Sequence, residues 1–138
     1  MSQWSQFATN PEALSIYDTP PGLQRVKFLQ CRFTRSGGVF EIDLSLDEMP
    51  QRRPGRWPSE TNAVSLTLHL WAVLSSSVSI SQVSDDRQAA CSLRKSDNGL
   101  LFECSGSGLD IWVECNSLRI ANISGYSIVP LDKRREYA

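Results

Sequence analysis

Reactive groups are scarce in this 138-residue sequence. It holds one histidine, His69, and no pair of cysteines at the C-x-x-C spacing of zinc or redox sites. There is no G-x-S-x-G elbow to present a nucleophilic serine, and a Ser-His or Cys-His pair would have to use His69. Long hydrophobic runs are missing as well. The longest apolar-rich stretch, Ala63 to Leu74, is interrupted by Ser65, Thr67 and His69 and falls short of the ~18 residues of a membrane span. Nor is there an excess of one charge: 14 Lys and Arg against 15 Asp and Glu leave a formal −1. That balance argues against a protein that grips nucleic acid directly by bulk basic charge. The opening Met-Ser-Gln-Trp-Ser-Gln has neither the basic nor the apolar region of an export signal, so the cytoplasm is the expected compartment.

The rest of the composition is that of a soluble globular protein, with 41% hydrophobic and 21% charged residues. The length fits one domain, expected over residues 1–128, followed by a flexible tail over 129–138 that carries Lys133, Arg134 and Arg135. Cys31, Cys91, Cys104 and Cys115 all fall on apolar strand positions, so they are expected as buried free thiols rather than disulfides. No metal or cofactor is implied. One histidine and four scattered cysteines lack ligand spacing, and the Gly37-Gly38 and Gly106-x-Gly108 turns lie between strands instead of opening a helix. The paired carboxylates Asp47-Glu48 and Asp85-Asp86 sit in loops and read as solvated surface.

Near the start, Asn10 as cap, Pro11 in the first helical position and the apolar Leu14, Ile16 and Tyr17 predict a helix of about two turns. Thr19-Pro20-Pro21-Gly22 ends it. From there the apolar period is two. Val26 and Phe28, then Leu29, Cys31 and Phe33, mark a strand whose parity change signals a bulge. Phe40 to Leu46, Val64 to Ala72, Val78 to Ile80, Ala89 to Leu93, Leu100 to Cys104, Leu109 to Cys115, and Leu118 to Ile123 follow. Asn98-Gly99 predicts a hairpin turn by tolerating positive φ, and Asn116-Ser117 predicts another. The expected fold is mainly β: about eight antiparallel strands in a meander, forming a sandwich or a partly open barrel, with a short N-terminal helix.

Two features stand out as candidate binding surfaces. The connection from Asp47 to Asn62 is long for a loop without structure, which often marks function. Its run Arg52-Arg53-Pro54-Gly55-Arg56-Trp57 offers Arg56 and Trp57 to a partner; the alternative is that Trp57 plugs one end of the core. Second, Asp97 to Cys115 contains Asp97, Glu103, Asp110 and Glu114 and no Lys or Arg. Strand alternation puts Glu103, Asp110, Trp112 and Glu114 together on an outward face, which suits docking of a basic protein surface. The alternative covers Trp112 with the N-terminal helix or the tail.

The string Arg56-Trp57-Pro58-Ser59-Glu60-Thr61-Asn62-Ala63-Val64-Ser65-Leu66-Thr67-Leu68 runs from a Pro-rich loop into an alternating strand. Together with the N-terminal Trp segment, Pro20-Pro21-Gly22-Leu23 and the closing Ile123-Ser124-Gly125-Tyr126, it resembles the Immunity protein 50 family, bacterial proteins encoded beside polymorphic toxins. The resemblance runs from Trp4 to Tyr126; the serine-rich Ser75 to Arg87 and the tail from Val129 carry no motif of it. It implies a cytoplasmic antitoxin that binds the C-terminal toxin domain of a secreted effector, with no catalysis and no cofactor. It does not assign binding residues. If that toxin is a nuclease, the carboxylate face would mimic phosphate. A contrasting reading is a β-sandwich binding carbohydrate or another ligand through Trp57, Trp71 and Trp112.

Overall fold

Every strand carries one apolar row, and those rows must be hidden from water. The computed structural model, which describes residues 4–34, 38–81 and 88–128, hides them by folding one sheet upon itself. Its strands are β1 (Val26–Phe33), β2 (Val39–Leu46), β3 (Ala63–Trp71), β4 (Ser75–Ile80), β5 (Gln88–Ser96), β6 (Gly99–Gly106), β7 (Leu109–Cys115) and β8 (Ser117–Tyr126). All pairings are antiparallel, in the order β4-β7-β6-β5-β1-β2-β3-β8. The sheet is not closed into a barrel. Two half-sheets, β4-β7-β6-β5 and β1-β2-β3-β8, meet at a seam where, among the described residues, Val26 pairs with Ala89 and Lys27 with Gln88. Their inner rows make a single core that includes Phe40, Ile42, Leu66 and Leu68 from one half and Phe102, Cys104, Ile111 and Val113 from the other.

The period-two expectation holds for the mainly β architecture, and the parity change in β1 is a bulge, where register shifts between Phe28 and Gln30. A second shift lies between Thr67 and Leu68 of β3; on β8 it leaves Ala121 as the extra residue between Ile120 and Asn122. It accounts for the odd spacing from Ile120 to Ile123. Cys91, Cys104 and Cys115 are buried free thiols, and Cys31 is a half-buried one. Burial pushes the Cys115 thiol up to about 11.

Four expectations are corrected. The N-terminal helix is not α-helical: the segment forms two single 3-10 turns, Trp4–Phe7 and Pro11–Leu14. Long-range bonds hold it instead. The Trp4 indole donates to Pro21 O at 2.7 Å, and the Tyr17 hydroxyl donates to Glu48 O at 2.7 Å. Asn116-Ser117 is not a hairpin turn. β7 pairs with β6 and β4 whereas β8 pairs with β3, so Asn116 is a corner where one extended run changes half-sheets. The expected hairpin joins β5 to β6 through Asp97 and Asn98, but without Asn98 at positive φ; Ala72 is the non-glycine residue with positive φ among the described ones. Gly99 opens β6 opposite Ser96, where a Cβ would collide with the Cys115 carbonyl. Finally, Val78 and Ile80 lie on the core side of β4 yet remain 40% and 46% exposed, because β4 is an edge strand with a neighbour, β7, on one side. Ser36, Gly37, Asp85, Asp86 and the tail over 129–138 lie outside the described residues.

The β2–β3 connection closes one end of the core with Trp57, which is buried against β8. There Gly125 is obligatory: a Cβ on it would stand 2.5 Å from the Trp57 ring and 2.6 Å from the Thr61 methyl. Gly125→Ala should therefore cost about 1–3 kcal/mol in chemical denaturation. The same change made in a Trp57→Ala background should cost less, since the ring's share of the clash is gone and the Thr61 methyl has room to move aside. Equal costs in both backgrounds would refute the plug.

Candidate functional site

Alternation gives the molecule two outward polar faces of different character. On β1-β2-β3-β8 the side chains pair with one another. Glu41 accepts from Arg32 Nε at 2.8 Å and lies 2.7 Å from His69 Nε2, while Asp43 accepts from Gln30 at 2.6 Å and from the Thr67 hydroxyl at 2.5 Å. Trp71 stands edge-on to His69, with ring centroids 6.3 Å apart. The contact to His69, supported by Arg32, holds the Glu41 carboxyl below the usual carboxylate range. This face is a ladder of hydrogen bonds, with its histidine engaged by the Glu41 carboxylate and the neighbouring Thr67 hydroxyl engaged by Asp43.

The face on β4-β7-β6-β5 differs. β7 turns Asp110, Trp112 and Glu114 outward, and register sets Glu103 of β6 directly opposite Trp112. On the other flank Ser79, Ser77 and Ser75 of β4 stand opposite Asp110, Trp112 and Glu114. Trp112 is 37% exposed, uncovered by the N-terminal turns, which pack on β5 and β8 instead. Arg94 of β5 approaches Glu103 at 3.5 Å, and the Ser75 hydroxyl donates to Glu114 at 3.4 Å. Among the described residues neither Asp110 nor Glu114 has an ion-pair partner. A large aromatic flanked by uncompensated carboxylates on a rigid strand pair can meet a basic protein surface.

Glu103, Asp110, Trp112 and Glu114 are thus brought together, as alternation predicts. Arg56 and Trp57 are not part of that group. They belong to the β2–β3 connection beside β8, the opposite end of the strand order; Arg56 is exposed and Trp57 is spent on the core. The burial of Trp57 and the place of Trp71 over His69 on the other half-sheet also dissolve the three-tryptophan platform a carbohydrate module would use. The residues that sequence reasoning missed are Arg94 and the β4 serines. Both belong to the face only through pairing partners distant in the chain. An open cavity of about 380 Å³ lined by Gly22, Gln24, Arg25, Leu46, Asp47 and Glu48 mixes one cation with two carboxylates and holds no nucleophile.

A family model settles what this chain is similar to: the Immunity protein 50 model matches residues 10–126. The chain belongs to the Immunity protein 50 family. Nothing among curated proteins or solved structures is a significant match. The matched span takes in all eight strands and the β2–β3 connection, and the role the family's description carries is immunity.

The Glu41 ladder gives a pH signature. Its carboxyl is held below the ordinary value, so its contribution to stability is full above the unfolded value of about 4.3 and is lost as the pH falls through the folded one. Glu41→Gln should cost about 1 kcal/mol at pH 7, and the difference from the parent should shrink steadily below about pH 4. Urea denaturation at a series of pH values reads it; a difference that persists unchanged in acid would contradict the ladder.

Proposed function

We propose that this chain is the inhibitor of a toxin–immunity pair: it binds the toxin domain encoded beside it and neutralises it by occlusion in the cytoplasm of the producing cell, with no chemistry of its own. The observation that carries the reading is the face of Asp110, Trp112 and Glu114, where one exposed aromatic is flanked by carboxylates with no ion-pair partner among the described residues. In a protein of the immunity family such a surface needs a complementary one, and its sign calls for a basic partner. Nucleases expose basic substrate grooves, so a nuclease is the toxin class this face suits best; the carboxylates would then occupy the places of phosphates.

A carbohydrate-binding role has less support, because Trp57, Trp71 and Trp112 do not share a face. Co-expression is the direct test. The neighbouring toxin domain should kill cells alone and be harmless beside this chain; unrelieved killing would overturn the reading.

Two further outcomes follow from the acidic face. The double variant Trp112→Ala/Glu114→Ala should bind the toxin domain more than tenfold more weakly while its melting temperature stays nearly unchanged, since neither side chain belongs to the core. Association should also slow severalfold between about 0.05 and 0.5 M salt, read by stopped flow, as screening shortens the reach of the carboxylates. An on-rate indifferent to salt would remove electrostatics from the mechanism.

A further inference from the structure

An open sheet has two edges, and this protein treats them differently. The β8 edge is occupied from Leu118 to Ile120 by the chain's own N-terminal segment. Ala8 bridges Leu118, Thr9 N donates to Leu118 O at 2.8 Å, and the Asn10 amide both donates to Ile120 O and accepts from Ile120 N at 2.9 Å. Asn10 thereby imitates a further peptide unit of the ladder. The β4 edge receives nothing of the kind among the described residues. Ser81 N bonds to Gly108 O at 2.7 Å, and the alternation of an antiparallel ladder then turns the backbone groups of Ser76, Val78 and Ile80 away from β7. Natural edges are ordinarily blunted by charge, proline or a bulge. β4 reads Ser-Ser-Ser-Val-Ser-Ile, with no charge and no proline, and pairs with β7 in unbroken register.

Resting on the toxin–immunity reading, we infer that β4 is the docking edge, and that the toxin contributes a β-strand whose two faces are basic and apolar by turns. The side-chain rows on β4 specify both. On the core side Val78 and Ile80 stay 40% and 46% exposed, an apolar row unfinished by the fold. An added strand would cover it with apolar residues of the same parity. On the outward side β4 carries Ser75, Ser77 and Ser79, a trough of short hydroxyl side chains in front of Glu114, Trp112 and Asp110. A strand paired to β4 lies two spacings, about 10 Å, from β7. Lysine or arginine side chains reach across serine to those carboxylates, and any longer residue on β4 would block them. A second copy of this chain fits worse, because its own β4 presents serines and no cation to the acidic row.

The test uses the toxin domain encoded beside this chain, inactivated in its own active site, together with the full chain. Val78→Pro removes an outward-facing N–H without touching the β4–β7 ladder. It should weaken binding at least a hundredfold with little change in melting temperature, and Val78→Lys, which keeps the backbone intact, should weaken it as well. In hydrogen exchange the amides of Ser76, Val78 and Ile80 should exchange freely in the free chain and become protected in the complex. If the parent protein fails to bind the domain at all, the immunity reading falls and this one with it. If the parent binds but both variants bind equally well and those amides stay unprotected, the edge is not the docking site and the immunity reading stands. Protection already present in the free chain at high concentration, lost in Val78→Pro together with a halving of sedimented mass, would assign the edge to a second copy and overturn the inference.

Discussion

A sheet with one apolar face has nothing but itself to cover that face when no α-helix is at hand. This constraint accounts for the architecture. Eight strands of alternating sequence make a surface too apolar to leave wet, and the sheet folds across the β1–β5 seam until its halves share a core. Two local devices permit the fold. The bulge after Phe28 bends β1, and the corner at Asn116 carries an extended run from one half to the other. Ala72, held at positive φ, frees the chain leaving β3 to cross to the far edge. Trp57 then stops the open end.

The strands themselves were legible because burial on a strand is a local property: each residue's parity decides its face. Phe40, Ile42 and Leu44, or Ile111 and Val113, are inward where the alternation puts them. The partners of each strand were not legible. Nothing near Asn116 distinguishes a hairpin from a corner, since the choice lies in whether Leu118 meets β3 or β7. The N-terminal segment failed for a related reason. Helix propensity over two turns is worth little, and the bonds from Asn10 to Ile120, and from Arg52 to the Ser15 carbonyl at 2.9 Å, outweigh it. The acidic face was readable, as it needs only parity and one hairpin. Its neighbours on β4 needed the whole sheet order.

The two outer faces show how the same alternation serves different ends. In the ladder around Glu41, the Arg32 guanidinium and the His69 ring each find that carboxylate one strand away. The face around Trp112 leaves charges unanswered. A fold under selection for stability alone gains nothing from flanking an exposed indole with Asp110 and Glu114, neither of which has an ion-pair partner among the described residues.

The strict separation of rows on β4 and β7 has an evolutionary corollary. Residues on the inner row answer to the core, and those on the outer row lie outside it, with the Ser75–Glu114 hydrogen bond at 3.4 Å as their tie among the described residues. Exchanging Ser77 or Asp110 for another side chain therefore carries little folding penalty, and a lineage can rewrite what this surface greets without renegotiating the interior. For the toxin–immunity pairing proposed above, such insulation lets antidote keep pace with poison by single steps.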